Sequence, residues 1–351
     1  MEPGMDRVKI GDRAVGMGEP CFVVAEAGSN HDGKLAQAKN LVEVAAAAGC
    51  DAVKFQTFKA DRIVAKVGDR PKYLDAITSP DESMHDIFSK LELPYEWHED
   101  LRDHARAHGI LFFSTPFDET SADLLDSIGV PCFKIASFEL NHLPLVEHVA
   151  RKMKPMIIST GMADLSDIED ALAVIHPHHR QVVLLHCTSS YPAPIEHANL
   201  RAIQTMREAF DVPVGYSDHT PGWTAAVAAV ALGACVVEKH FTIDKKLPGP
   251  DHLFALDPAE LKQMVLGIRD TEAALGTGRK HRMPEEEELH RLARRRIFAI
   301  MDIPRGTAVR PEMLAILRGT DGIEPKFFRQ VEGRQARRDI RAHTALTWDD
   351  V

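Results

Sequence analysis

Short apolar segments alternate with helical patterns eight times within residues 1–276, and this repeat restricts the fold more than any other feature of the chain. Most of the apolar segments are apolar on both faces, which is typical of buried parallel strands. The predicted strands are Cys21–Glu26, Ala52–Gln56, Ile110–Ser114, Cys132–Ala136, Pro155–Ser159, Val182–His186, Pro213–Tyr216 and Cys235–His240. The predicted helices are Leu35–Ala48, Trp97–His108, Thr120–Ile128, Leu143–Met153, Leu165–Ile175, Asn199–Phe210, Thr224–Leu232 and Pro258–Leu275.

Eight strand–helix units over about 250 residues are the number and length of a (β/α)8 (TIM) barrel, an α/β fold. A doubly wound open sheet is the alternative, but no Gly-x-Gly-x-x-Gly sequence follows the first predicted strand. The long insert between Phe58 and Tyr95 is predicted to extend above the carboxyl ends of the strands.

The distribution of charge predicts a second domain. The chain of 351 residues carries 42 Lys and Arg and 52 Asp and Glu, a net charge of −10. Residues 290–351 alone have a net charge of +5, so the rest of the chain has −15. We therefore predict a barrel domain over residues 1–278, a polar linker over 279–290 and a small β-rich domain over 291–351.

The same composition favours a cytoplasmic protein. The acidic balance argues against a nucleic-acid or membrane-surface binder, and no apolar run approaches the roughly 20 residues of a membrane span. The first residues have no apolar signal core. The five cysteines show no Cys-x-x-Cys spacing, so we expect small buried apolar side chains in a reducing compartment.

Polar side chains capable of chemistry lie near the carboxyl end of nearly every predicted strand, where barrel enzymes place their catalytic groups. In strand order they are Glu26, Ser29, Asn30 and His31; Lys54 and Gln56; Ser114 and Thr115; Lys134, Ser137 and Glu139; Ser159 and Thr160; His186, Thr188, Ser189, Ser190 and Tyr191; Ser217, Asp218 and His219; Glu238, Lys239 and His240. Because side chains alternate along a strand, Glu238 and His240 share a face, and Lys239 is predicted to point toward the helix layer.

These residue types suit an anionic ligand and a metal. Lysines inside a barrel are costly to bury without an anionic partner, so Lys54 and Lys134 suit a phosphate and a carboxylate. The neutral imidazoles of His219 and His240 could hold a divalent metal and leave positions open for water and substrate. His186 could equally be a hydrogen-bonded core residue.

Two features lie outside the strand ends. Asp251, in a loop after the last strand, could reach sugar hydroxyls. The cluster of His176, His178 and His179 follows the fifth predicted helix, on the side away from the chemistry, and we expect it to face solvent.

The order and spacing of nine motifs resemble the N-acetylneuraminate (sialic acid) synthase family. The motifs are EAGSNHDG, KFQTF, FFSTPFD, KIASFEL, STGMA, HCTSSYPAP, GYSDHT, EKHFT and LPGPDH. The tail from about Arg295 resembles the C-terminal antifreeze-like (SAF) domain of that family. LPGPDH resembles the neuraminate and legionaminate branches more than the pseudaminate branch.

The resemblance implies that phosphoenolpyruvate condenses with N-acetylmannosamine or a related N-acetylated aldohexose and water, giving a nonulosonic acid and phosphate. The resemblance implies that the catalytic residues are Glu26, His219, His240 and Arg318, and that His219 and His240 bind Mn²⁺ or Mg²⁺. It implies that phosphoenolpyruvate is bound by Lys54, Thr115, Lys134, Ser137, Ser159 and Ser217. It implies that the sugar is bound by Gln56, Glu139, Tyr191, Asp251 and Arg318.

The resemblance also implies a domain-swapped homodimer in which Arg318 reaches the partner's active site. The family often has Asn where this chain has Ser189, and a proline where Gly319 follows Arg318. Two rival hypotheses stay open from the residues: a Schiff-base aldolase with Lys54 or Lys134 as nucleophile, and a non-catalytic carbohydrate-binding barrel.

Overall fold

A computed structural model describes residues 7–66 and 82–351 of the chain. Its contacts divide the chain into two compact units, Met1–Gly276 and Thr277–Val351. Residues 67–81, which belong to the predicted insert, lie outside the described residues.

The first unit contains the predicted barrel of eight parallel strands. The strands are β3 (Phe22–Gly28), β4 (Ala52–Thr57), β5 (Leu111–Pro116), β6 (Phe133–Ile135), β7 (Met156–Ser159), β8 (Val182–Cys187), β9 (Val214–Asp218) and β10 (Val236–His240). Their hydrogen-bonded order is β5-β4-β3-β10-β9-β8-β7-β6, and the edge strands β5 and β6 contact each other to close the barrel. The predicted (β/α)8 fold is thus confirmed.

Helices follow the strands as the sequence predicted, with small shifts at their ends. They are α1 (Leu35–Ala48), α4 (His98–Ala107), α5 (Glu119–Ser127), α6 (Leu143–Ala150), α7 (Leu165–Ile175), α8 (Ala202–Phe210), α9 (Thr224–Ala231) and α10 (Pro258–Leu275). The described part of the insert adds α2 (Ala60–Ile63) and α3 (Met84–Leu91), which contact each other. None of the described helices has the length and apolarity needed to cross a bilayer.

Local signals in the sequence set several helix ends. At the start of α10, Asp257 accepts a hydrogen bond from the Glu260 backbone, and Glu260 accepts one from the Asp257 backbone. Helix α1 ends at Gly49, whose φ of 86° is the left-handed conformation that glycine adopts without steric cost.

A small hairpin precedes the barrel. It consists of β1 (Arg7–Ile10) and β2 (Arg13–Gly16), and its residues Val8, Ile10 and Val15 join the core of the barrel. The histidine cluster behind α7 differs from its prediction in one residue. His179 is buried, because the chain after α7 turns back toward β8 and packs there, and its Nδ1 accepts a hydrogen bond from the Gln181 backbone.

The second unit is a small β-rich module with its own apolar core. Strands β11 (Arg295–Ala299) and β12 (Leu314–Arg318) pair antiparallel, and a short helix, α12 (Phe328–Val331), follows. Its core includes Ile297, Val331 and Leu346. The segment predicted as a linker contains the short turn Pro284–Glu286 and helix α11 (Glu287–Ala293).

Close packing between β9 and β10 makes Gly215 a sensitive position. A Cβ atom there would lie 2.5 Å from the Val236 carbonyl oxygen and 2.7 Å from the Leu185 Cδ2 atom. We expect Gly215→Ala to lower the free energy of unfolding by about 1–3 kcal/mol, measured by urea denaturation, because backbone atoms must shift. Gly267→Ala in α10 is the matched control, since its Cβ would meet only the Val227 side chain at 3.2 Å. Equal stability of the two variants would contradict this account.

Candidate active site

A cavity of about 290 Å³ opens among the described residues at the carboxyl ends of the barrel strands. It brings together every site residue that the sequence predicted in the barrel: Glu26, Lys54, Gln56, Thr115, Lys134, Ser137, Glu139, Ser159, Tyr191, Ser217, His219, His240 and Asp251. These residues come from all eight strands or the loops after them, so the cavity depends on the closed barrel.

Four buried charged side chains form the base of the cavity. Lys54 Nζ lies 2.7 Å from Glu26 Oε2 and 3.6 Å from Glu238 Oε1, and Lys134 Nζ lies 3.7 Å from the same Glu238 oxygen. Lys54 also donates to Thr115 Oγ1 at 2.9 Å, and Lys134 donates to Ser159 Oγ at 2.7 Å. The base is therefore a network of two ammonium groups, two carboxylates and hydroxyls, which we call the charged base.

Burial and mutual attraction shift the pKa values in the charged base. Burial raises the pKa of Glu26 to about 7, although Lys54 opposes this shift. Burial lowers the pKa of Lys134, against the attraction of Glu238. For Glu238, Lys134 and Lys54 outweigh the effect of burial and lower the pKa. Glu26 can consequently exchange a proton near neutral pH.

Two imidazoles lie together beside this base. The ring centroids of His219 and His240 are 5.5 Å apart, and the ring of Tyr191 lies 4.3 Å from that of His219. His219 Nδ1 is 3.0 Å from the Thr188 carbonyl oxygen, to which its N–H donates, so its Nε2 is left for a ligand. Nδ1 of His240 is buried without a hydrogen-bond partner.

The histidine pair fits a divalent metal. Burial and the neighbouring His219 hold the pKa of His240 well below its usual value, so this imidazole is neutral, as a metal ligand must be. An orphaned buried nitrogen and an oriented imidazole next to carboxylates form a donor set that suits Mn²⁺ or Mg²⁺ with water and substrate oxygens in the remaining positions.

A buried ion pair outside the cavity fixes the loop that carries His219. Lys239 Nζ donates to Asp218 Oδ2 at 2.8 Å and to the Thr220 carbonyl oxygen. Asp218 Oδ1 in turn accepts from the backbone N–H of Thr220 at 2.8 Å. Lys239 thus points away from the cavity, as strand alternation predicted, and it ties β10 to the end of β9.

Polar side chains above the charged base surround the upper cavity. Gln56 Nε2 donates to Glu26 Oε1 at 2.8 Å, and Ser29 Oγ donates to Asp251 Oδ2 at 3.4 Å. Burial raises the pKa of Glu139 to about 8, while Lys134 opposes this shift, and Glu139 Oε2 has no hydrogen-bond partner. These groups offer donors and acceptors at several heights along the barrel axis.

The insert supplies an apolar side to the cavity, which we call the apolar wall. It consists of Phe58, Ile63, Val64, Met84, Ile87, Phe88 and Leu91. The described part of the insert therefore lies at the barrel mouth, as predicted. Within the residues that the structure describes, the cavity has no lysine or arginine other than Lys54 and Lys134.

The sequence left His186 open as a strand-end site residue or a hydrogen-bonded core residue, and the structure agrees with the second: its Nε2 donates to the Ala198 carbonyl oxygen at 2.8 Å, outside the cavity. Arg318 ends strand β12 and is exposed in the second unit. Sequence reasoning assigned no role to Glu238, although its shared face with His240 was a usable signal. The sequence predicts that Cys187 is a small buried apolar side chain. In the structure it lines the cavity, and its Sγ lies 3.6 Å from His219 Nδ1.

The barrel and its strand-end cavity define an enzyme of the (β/α)8 class. The NeuB family model matches residues 41–280, and the SAF domain model matches residues 294–351. The chain therefore belongs to the NeuB family and carries a C-terminal SAF domain.

Individual relatives agree with this assignment. An N,N'-diacetyllegionaminic acid synthase of Legionella pneumophila is 43% identical over 99% of each chain, and a pseudaminic acid synthase of Helicobacter pylori is 35% identical over 95% of this chain and 98% of its own. The crystal structure of spore coat polysaccharide biosynthesis protein SpsE of Bacillus subtilis, at 44% identity, covers 98% of this chain and 99% of its own with a TM-score of 0.68. The two named synthases support a nonulosonic acid synthase.

The raised pKa of Glu139 predicts a pH-dependent stability. Since this pKa is about 8 in the folded chain and about 4.5 when unfolded, the folded state retains a proton that the unfolded state loses as pH rises between these values. Glu139 therefore leaves the free energy of unfolding unchanged at pH 4 and lowers it progressively as the pH rises toward 8. We expect Glu139→Gln to match the parent near pH 4.5 and to exceed its unfolding free energy by roughly 4 kcal/mol at pH 8, since each pKa unit of the shift corresponds to about 1.4 kcal/mol. A constant difference in urea denaturation across this range would contradict the assigned shift.

Proposed function

We propose that this enzyme condenses phosphoenolpyruvate with an N-acetylated aldohexose and water, releasing phosphate and a nonulosonic acid. The observation that carries the proposal is the charged base, where the buried ammonium groups of Lys54 and Lys134 lie beside strand-end hydroxyls. Such a set matches a small ligand that bears both a phosphate and a carboxylate.

The residues of the cavity would have the following roles in this reaction. Lys54 and Lys134, with hydroxyls of Thr115, Ser137, Ser159 and Ser217, would neutralise and hold phosphoenolpyruvate. Glu26, with a pKa near 7, would hold or deprotonate the water that adds to C2. Gln56, Glu139, Tyr191 and Asp251 would orient the sugar so that its aldehyde carbon faces the enol carbon.

His219 and His240 would hold the divalent metal. When bound, Mn²⁺ or Mg²⁺ would supply Lewis-acid polarisation of the aldehyde oxygen. Tyr191, packed against the ring of His219, would restrict that ring's orientation.

The apolar wall supports a doubly N-acetylated, deoxygenated aldohexose as the sugar. Phe58, Ile87 and Phe88 offer apolar contacts for acetamido methyl groups and a deoxy carbon. Two relatives at 43% and 42% identity are named N,N'-diacetyllegionaminic acid synthase, which supports the same choice.

A Schiff-base aldolase is the second candidate, because burial lowers the pKa of Lys134 and so favours its nucleophilic amine. Borohydride trapping with pyruvate separates the two: a stable adduct lost in Lys134→Met supports the aldolase, and no adduct supports the synthase.

Product analysis tests the proposed reaction. With phosphoenolpyruvate and a panel of aldoses in ¹⁸O-water, mass spectrometry should find a nonulosonic acid labelled at the C2 oxygen and unlabelled phosphate, because water adds to carbon. We expect turnover of a 2,4-diacetamido-trideoxy hexose to exceed that of N-acetylmannosamine at least about tenfold, and its 6-phosphate to react least. Labelled phosphate would contradict carbon–oxygen cleavage, and preference for the 6-phosphate would contradict the sugar assignment.

Removal of one imidazole tests the metal proposal. We expect His240→Ala to weaken Mn²⁺ binding at least about tenfold, measured by electron paramagnetic resonance, and to lose turnover in parallel because a ligand is gone. His148→Ala, which removes an exposed imidazole bound to Asp123, is the matched control. Full activity of His240→Ala in the presence of EDTA would contradict a metal at this site.

We also propose a cytoplasmic homodimer in which the SAF domain of one copy completes the barrel cavity of the other. Five buried, unpaired cysteines support a reducing compartment. The loops after the barrel strands expose Phe138, Ile195 and Leu253, an apolar rim that a partner would cover. Arg318 would then add a delocalised cation near the sugar.

Complementation between two inactive variants tests shared sites. Mixed dimers of His240→Ala and Arg318→Ala contain one intact site each, so we expect recovery of about a quarter of parental activity after subunit exchange. Parental chains mixed in the same way serve as the control. No recovery, with exchange shown by mass-tagged subunits, would mean that each barrel uses its own SAF domain.

A further inference from the structure

Helices α1 and α4 pack side by side on the outside of the barrel and bring two imidazoles and a carboxylate together. These are Glu43 of α1, His104 of α4 and His108, the residue directly after α4, hereafter the helix cluster. One ligand atom from each lies within 4.8 Å of the other two. Over residues 7–66 and 82–351 it is the single group of three His, Cys, Asp or Glu side chains that meets this criterion.

The geometry of these three residues places atoms that could bind a metal close together. His104 and His108 are four residues apart, so they lie one above the other on the same side of the helix. The Nδ1–H of His108 donates to the His104 carbonyl oxygen at 2.9 Å, which fixes the ring and leaves Nε2 as the free ligand. His104 Nε2 lies 3.0 Å from Glu43 Oε1, and the two imidazole centroids are 4.5 Å apart.

Two other surface histidines among the described residues each pair with a carboxylate but have no second imidazole beside them. His148 and His85 each lie against one carboxylate, Asp123 at 2.7 Å and Asp61 at 2.8 Å, with a single imidazole in each pair. The helix cluster adds a second imidazole to the same arrangement. It also lies at the carboxyl end of α4, where the helix dipole favours a cation.

From these observations we propose that Glu43, His104 and His108 form a Zn²⁺-binding site separate from the barrel cavity. Two imidazole nitrogens and one carboxylate oxygen, with water as the fourth ligand, suit tetrahedral zinc. Helices of a (β/α)8 barrel run back toward the amino ends of the strands, so a site on the last turn of α4 is at the end opposite the cavity. The bound ion would link α1 to α4 and stabilise the barrel.

Zinc titration of the full chain against a chromophoric chelator tests the site. In the background of His240→Ala, which removes one of the two imidazoles of the cavity, we expect tight binding to persist and to fall at least about tenfold in affinity when His104→Ala and His108→Ala are added. His148→Ala in the same background should bind zinc as before, because it leaves the helix cluster intact. Unchanged affinity and stoichiometry in the His104→Ala, His108→Ala chain, shown to be folded by circular dichroism, would overturn the proposal.

A second measurement needs no substitution. Crystals of the parental chain soaked in Zn²⁺ should give an anomalous difference peak between Glu43, His104 and His108. Absence of a peak there at full occupancy of added zinc elsewhere would equally overturn the proposal.

Discussion

The attraction among Glu26, Lys54, Glu238 and Lys134 is the interaction on which the cavity depends. Four charges lie within the closed barrel at an exposure of 5% or less, where an unpaired charge would cost several kcal/mol. They come from β3, β4, β6 and β10, so all four strands must be in register before the charges can compensate each other. The ion pairs that offset the cost of burying these four charges also place two cations at the base of the cavity, where an anion can reach them.

This arrangement has a consequence for proton binding. The two ammonium groups and two carboxylates balance before any ligand arrives, and the pKa of Glu26 is already about 7 because of burial. An anion that binds to Lys54 and Lys134 adds negative charge beside Glu26 and favours its protonated form. Binding of an anion at Lys54 and Lys134 and proton uptake by Glu26 would therefore be linked.

The sequence predicted the barrel because its strands are buried on both faces and each is followed by a clear helix. It also predicted which strand-end residues meet, since alternation separates Lys239 from Glu238 and His240. It did not predict the role of Glu238, because a carboxylate between two lysines is recognised only when β6 and β10 are placed in space. The burial of His179 likewise depends on how the turn after α7 packs, and the spacing of apolar residues in the sequence does not predict that packing.

The order of residues along β4 and directly after it makes the cavity polar at its base and apolar at its mouth. Lys54, Gln56 and Phe58 follow each other at every second position, and each step of two residues rises about 7 Å along a strand. A cation, an amide and an aromatic ring thus succeed one another from the interior toward the mouth. A ligand that extends along this axis meets charge at the base, hydrogen bonds in the middle and the apolar wall at the top, so its anionic end is oriented inward. β4 and the residue after it therefore follow the same change from charged base to apolar wall that the other strands and the insert build around them.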